Sequence, residues 1–189
     1  MKLSRTLLLP LFIIVGCEPI KSIDNRPTDE LAFVRKFRAA DSIYSGEKNN
    51  IKKAEILEKQ RAQLSKFITD TLHAKFNQWQ AIVSQIEIYS APTDYIEITL
   101  LITKDADLDP SQKYPDVRNI ILSAIIKPQD PLKDKLKELL RDDKVLVTGK
   151  FQKTLKDNIV EVRNSLDSEE STFSNPKFDF KIEDITKMK

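Results

Sequence analysis

The chain has 189 residues, with 31 Lys+Arg against 29 Asp+Glu, and a single His and a single Cys. That length suits one domain plus a modest extension, enough to bury an ordinary core. The lone cysteine excludes an internal disulfide, and the near balance of charge lacks the basic excess that supplies most non-specific affinity for nucleic acids.

Lys2 and Arg5 form a positive start, and Leu7 to Val15 form an apolar stretch broken only by Pro10. The stretch is too short to span a bilayer, which takes roughly 20 apolar residues. Its layout is that of a signal peptide over residues 1–16. The closing run Ile14-Val15-Gly16-Cys17 resembles the bacterial lipobox. The resemblance implies that cleavage falls before Cys17, and that this residue carries a covalent diacylglycerol and an N-acyl lipid such as palmitate. It implies no other cofactor. Two or more acyl chains hold a protein stably on a membrane, at about 0.8 kcal/mol per buried CH₂. Glu18 implies, by likeness to known sorting signals, delivery to the outer membrane facing the periplasm if the cell is Gram-negative. Loss of Lys2 and Arg5 with the signal leaves 29 basic residues, equal to the 29 acidic ones.

Residues 17–27 have no periodicity and contain Pro19 and Pro27, so they read as the lipidated cysteine and a tether. Residues 28–75 read as a helical region. Thr28 is placed to cap a helix, with Asp29 and Glu30 in its first turn favouring the positive end of the dipole. Leu31, Val34, Phe37, Ala40 and Tyr44 recur at helical spacing, and Gly46 and Asn49-Asn50 punctuate the chain. A second stripe follows in Ile51, Leu57, Leu64, Ile68 and Leu72. The two helices are expected to pair as a hairpin. His73, near the end of the second helix, reads as structural, favouring the negative end of the helix dipole, whereas a zinc or general-base site would want a partner ligand or nucleophile.

Residues 76–189 read as a β-rich domain. Trp79 to Ile88 is one long strand whose apolar face changes parity midway, which requires a bulge or bend. Tyr95 to Thr103 alternates, with Ile96, Ile98, Leu100 and Ile102 on one face. Ile120 to Ile126 is a third strand. Asp130-Pro131 opens a short helix carrying Leu132, Leu136, Leu139 and Leu140. Lys144 to Phe151 is a fourth strand, Ile159 to Arg163 a short fifth, and Phe178, Phe180 and Ile182 alternate in the last, beyond a polar loop from Ser165 to Pro176.

Strand, strand, strand, helix, strand, strand is the connectivity of the OB-fold. The wording resembles bacterial OB-fold proteins of the tRNA-anti-like kind, in Trp79-Gln80-Ala81-Ile82-Val83, in Asp142 to Phe151 and in Pro176 to Ile185. The resemblance implies an α+β protein with a five-stranded OB-like β-barrel and an inter-strand helix, preceded by two amino-terminal α-helices. Ala81 and Asp142 stand where such proteins commonly have glycine, so the bend and the turn must be made by other means.

For chemistry, Asp105, Asp107, Asp109 and Asp116 match the acidic spacing of a calcium loop. Pro110 at the glycine position, Lys113 at the ninth position and the flanking strands oppose that reading, and a solvated acidic loop is expected. Tyr95, Glu97 and Thr99 share the polar face of the second strand and are the expected ligand-contacting residues, with Trp79 in the core. Tyr89 and Tyr114 are further stacking candidates, while Asp167, Glu169 and Glu170 make the later loop acidic. No phosphate loop, nucleophile elbow or paired metal motif is present, so no catalysis is expected. The reading is a non-catalytic, lipid-anchored module binding a protein or envelope component. Its contacts are the second and third strands, the 104–119 loop or the 152–177 loop. An OB-type binder of nucleic acid or oligosaccharide is the alternative, with nucleic acid disfavoured by the charge balance. A carboxylate-based hydrolase comes third.

Overall fold

The computed structural model describes residues 24–90, 94–103, 119–164 and 171–188. The protein is α+β. Helix α1 (Thr28–Gly46) and helix α2 (Asn50–Lys66) come first, and α2 runs into a widened π-type turn at Phe67–Thr71. Strands β1 (Lys75–Tyr89), β2 (Tyr95–Thr103) and β3 (Asn119–Ile126) follow, then helix α3 (Leu132–Lys137). Strands β4 (Lys144–Phe151) and β5 (Arg163–Asn164), helix α4 (Ser171–Ser174) and strand β6 (Pro176–Lys187) complete the order. Among the described residues no helix is long and apolar enough to cross a membrane.

The strands lie in the order β3-β2-β1-β4-β6-β5, and β3 also pairs with β6, so the sheet closes into a ring. The β3–β6 pairing is parallel and the other ladders are antiparallel. The sheet has six strands, of which β5 pairs only with β6 and stands outside the ring. The parity change in β1 is made by the register shift at Val83/Gln85, and a further shift at Phe76/Trp79 precedes the segment expected as strand. Gln78, in the Phe76/Trp79 shift, has a φ of 53°. Ala81 therefore sits in regular strand, facing Val145. Asp142 supplies the turn before β4 with a φ of 70°, in the left-handed region that glycine enters without strain. Gly149 cannot be replaced so simply. A Cβ there would run into the Lys181 carbonyl and lie 3.0 Å from Phe76 Cζ.

Alternation in β2 sends Ile98, Leu100 and Ile102 inward, where they meet Ile120, Leu122, Val145, Val147 and Phe180 at essentially zero exposure. Both mouths of the ring are filled. At the mouth formed by the start of β1 and the end of β4, α1 inserts Phe33 and Phe37. Phe33 lies 4.9 Å from Trp79 and 5.6 Å from Phe151, and Phe37 meets Phe178 edge-on at 5.7 Å. Such aromatic pairs add about 0.5–1.5 kcal/mol each beyond their area. At the other mouth, α3 buries Leu136, and Leu139 follows it into the core. Asp130 Oδ1 accepts the Leu132 N–H at 3.0 Å and so opens that helix.

Several sequence expectations need correction. The stripe on α1 is buried against the ring as well as touching α2. Ile51 is 75% exposed and lies off the buried face of α2. Leu139 and Leu140 lie beyond the end of α3, and Leu140 is exposed. Residues 159–162 form no strand. Instead the Val160 carbonyl accepts from Ser65 Oγ (2.7 Å), and its N–H donates to Thr69 Oγ1 (3.2 Å). The expected polar loop contains α4, whose Thr172 and Phe173 are fully buried. Thr28 does not cap α1. Pro27 occupies that place, without a side-chain cap.

Candidate binding face

The first-turn acids of α1 hold the helix in the ring rather than facing water. Trp79 Nε1 donates to Asp29 Oδ2 at 2.8 Å, and the Gln80 N–H donates to Glu30 Oε2 at 2.8 Å. Arg26 is buried beside them. Its guanidinium grips Asp24 through Nε at 2.9 Å, donates to the Thr103 carbonyl at 2.6 Å and lies 3.6 Å from Glu30. Burial pushes the Glu30 carboxyl up to about 7, against the pull of the Gln80 N–H and Arg26. Glu30 Oε1 has no hydrogen-bond partner. The Arg26 hydrogen bond holds Asp24 below its ordinary range. These residues fasten the amino-terminal segment to the ends of β1 and β2.

The expected contact residues Tyr95, Glu97 and Thr99 are half-buried and share the outward face of β2. Register brings β1 residues beside them. Tyr89 faces Tyr95, Glu87 faces Glu97, and Gln85 faces Thr99. On the other flank Ile125 faces Glu97 and Ser123 faces Thr99. The two tyrosine rings stack at 4.6 Å with a 16° tilt. Ser123 Oγ donates to Glu97 Oε1 at 2.9 Å, while Glu87 accepts from Gln85 and from the Tyr89 hydroxyl. That last bond, to a carboxylate, pushes the Tyr89 hydroxyl up to about 12. Two carboxylates directly opposed across antiparallel strands destabilise the pair. The face can therefore stack planar groups, accept hydrogen bonds and pair with cations. Ile88 and Ile125, at 77% and 67% exposure, add apolar surface at the same end.

Trp79 lies in the core, as expected. His73 is exposed in the turn between α2 and β1, with a φ of 54°. Cys17, Asp105, Asp107, Asp109, Asp116 and Tyr114 lie outside the described residues, as do Asp167, Glu169 and Glu170. Among the described residues no cluster of His, Cys, Asp and Glu is arranged to hold a metal ion.

A concavity of about 520 Å³ lies between α2 and residues 159–164, with Arg61, Glu58, Glu161 and Arg163 on its walls. Arg61 donates to Thr172 Oγ1 at 3.1 Å, and Arg163 pairs with Asp179. The two guanidiniums are matched by two carboxylates, which gives the groove no net preference for anions. The 152–177 segment was legible as a candidate contact, but the contribution of Arg61 from α2 had no local signal. No protein-family model matches the chain, and comparison with curated proteins and with solved structures finds no match.

Proposed function

We propose that this protein is a lipid-anchored lipoprotein of the cell envelope whose OB-like barrel binds a protein or envelope component without catalysis. The observation that carries the binding part is the filling of both ring mouths by α1 and α3. It leaves ligands to meet outward surfaces, and the richest of these is the Tyr89, Tyr95, Glu87 and Glu97 face. The ring connectivity, with α3 between the third and fourth strands, supports the OB-like description. The lipobox at Ile14 to Cys17 supports the anchor. With Glu18, it supports an outer-membrane location facing the periplasm in a Gram-negative cell.

Cross-linking in intact envelopes is expected to return a reproducible partner, and failure to return one overturns the binding reading. Cys17→Ser is expected to abolish palmitate labelling and release the protein from membranes. Unchanged membrane fractionation of that variant overturns the anchor.

The stacked tyrosines favour one second reading, an oligosaccharide ligand laid on their rings. Glu87 and Glu97 disfavour nucleic acid on the same face, because they repel phosphate. Titration with glycan fragments separates this reading from the first, since a saturable response is expected only if sugars bind.

A further inference from the structure

The last part of β1 outruns the strand beside it. β4 pairs with β1 only as far as Ile82, opposite Lys144. The final backbone bonds on that side are Val83 N–H to the Asp143 carbonyl (2.9 Å) and Asp142 N–H to the Val83 carbonyl (2.8 Å). Residues 85–89 continue onward, paired to β2 along one edge. Among the described residues no strand covers their other edge. An open edge presents a row of N–H and C=O groups that templates pairing with another chain. Proteins usually blunt such edges with lysine, proline or a bulge. Gln85-Ile86-Glu87-Ile88-Tyr89 contains neither lysine nor proline, and the bulge precedes it.

The side chains along this edge alternate. Ile86 and Ile88 lie on the ring-interior side, and Ile88 is 77% exposed. Leu140, 67% exposed, stands just before the turn that delivers Asp142 to Val83. Gln85, Glu87 and Tyr89 lie on the outer side, where Glu87 and Glu97 put two carboxylates side by side. A strand added here meets apolar surface on one face and negative charge on the other.

The geometry points to strand addition at this edge. An extended segment of a partner protein pairs with Gln85 to Tyr89, with apolar side chains against Ile86 and Ile88 alternating with Lys or Arg opposite Glu87. This inference rests on the binding-module reading above. Charge chooses between occupants. A second copy of this chain, pairing antiparallel along the whole edge, centres on Glu87 and sets it against its own equivalent, which is destabilising. A basic strand instead relieves the repulsion already present between Glu87 and Glu97. Main-chain bonds then give affinity and the alternating side chains give specificity.

The test uses the full chain in detergent and a short peptide alternating Val and Lys. The expected result is saturable binding, weakened by about tenfold or more in Glu87→Lys, a surface change that leaves the core intact. The same peptide with Glu for Lys is expected to prefer the Glu87→Lys variant. Equal binding by a peptide N-methylated along its pairing edge overturns strand addition, as does an unchanged affinity in Glu87→Lys. A wild-type dimer dissolved by Ile88→Asp also overturns it, in favour of a second copy. Photo-cross-linkers placed at Ile88 and at the remote, fully exposed Leu155 then separate the two readings in envelopes. Capture from Leu155 alone overturns the edge and leaves the binding module standing. Capture from neither overturns both.

Discussion

Glu30→Gln is the most informative single substitution, because it isolates one buried charge. Glu30 is fully buried, and its carboxyl is raised from an ordinary 4.5 to about 7, chiefly by loss of water around it. Asp24 and Asp29 add to that rise, while the Gln80 N–H and Arg26 oppose it. Between pH 4.5 and 7 the native state therefore holds a proton that the unfolded chain releases. This group's contribution is greatest below pH 4.5 and is lost as pH rises through 7. At about 1.4 kcal/mol per unit, the span amounts to about 3 kcal/mol. Gln keeps an acceptor for the Gln80 N–H and removes the charge. Urea unfolding of wild type and Glu30→Gln from pH 5 to 8 yields a difference curve that cancels the other titrating groups. The expected curve falls with pH, so the variant gains on wild type by up to about 3 kcal/mol by pH 8. A flat or rising curve refutes the desolvation argument. That outcome means that pairing with Arg26, 3.6 Å away, offsets burial or outweighs it.

Phe37→Ala removes a fully buried ring from the α1 mouth and is expected to cost about 3–5 kcal/mol in chemical denaturation. Gly149→Ala forces a Cβ against the Lys181 carbonyl and Phe76. A loss of about 1–3 kcal/mol is expected, and an unchanged urea midpoint refutes the close approach. Ser65→Ala strands the buried Val160 carbonyl and is expected to cost about 1–3 kcal/mol. Limited proteolysis should then cut faster within residues 152–162.

The strands were legible where burial is one-sided. Alternation placed β2 and β4 at their observed ends, and the parity change in β1 called for a bulge or bend, which the register shows at Val83/Gln85. A period-2 pattern reports which face is buried and needs no knowledge of the partner. Helix α1 shows the limit of such patterns. Its stripe announced a buried face but not the aromatic cluster that receives it, and its acids looked like dipole partners when they bind β1. Residues 159–162 misled for a related reason. Ile159 and Val160 suggest a strand, but the Val160 backbone is satisfied by side chains more than ninety residues earlier, and the Ile159 carbonyl accepts locally from the Thr154 N–H. On the binding face, Tyr95, Glu97 and Thr99 followed from alternation. Their opposition to Tyr89, Glu87 and Gln85 depends on where the second bulge falls, and composition does not locate a bulge.

The Arg26 cluster also determines how the molecule bears load. Tension applied on the amino-terminal side of Asp24 reaches Arg26 first and passes through its bond to the Thr103 carbonyl into the end of β2. Asp29 and Glu30 carry the same tension into β1 through Trp79 and Gln80. A pull thus divides between two neighbouring strands before it acts beyond the first turn of the helix. Extracting α1 requires these bonds to break and Phe33 and Phe37 to leave the mouth of the ring together. The segment behaves mechanically as a cleat, set in the sheet it secures.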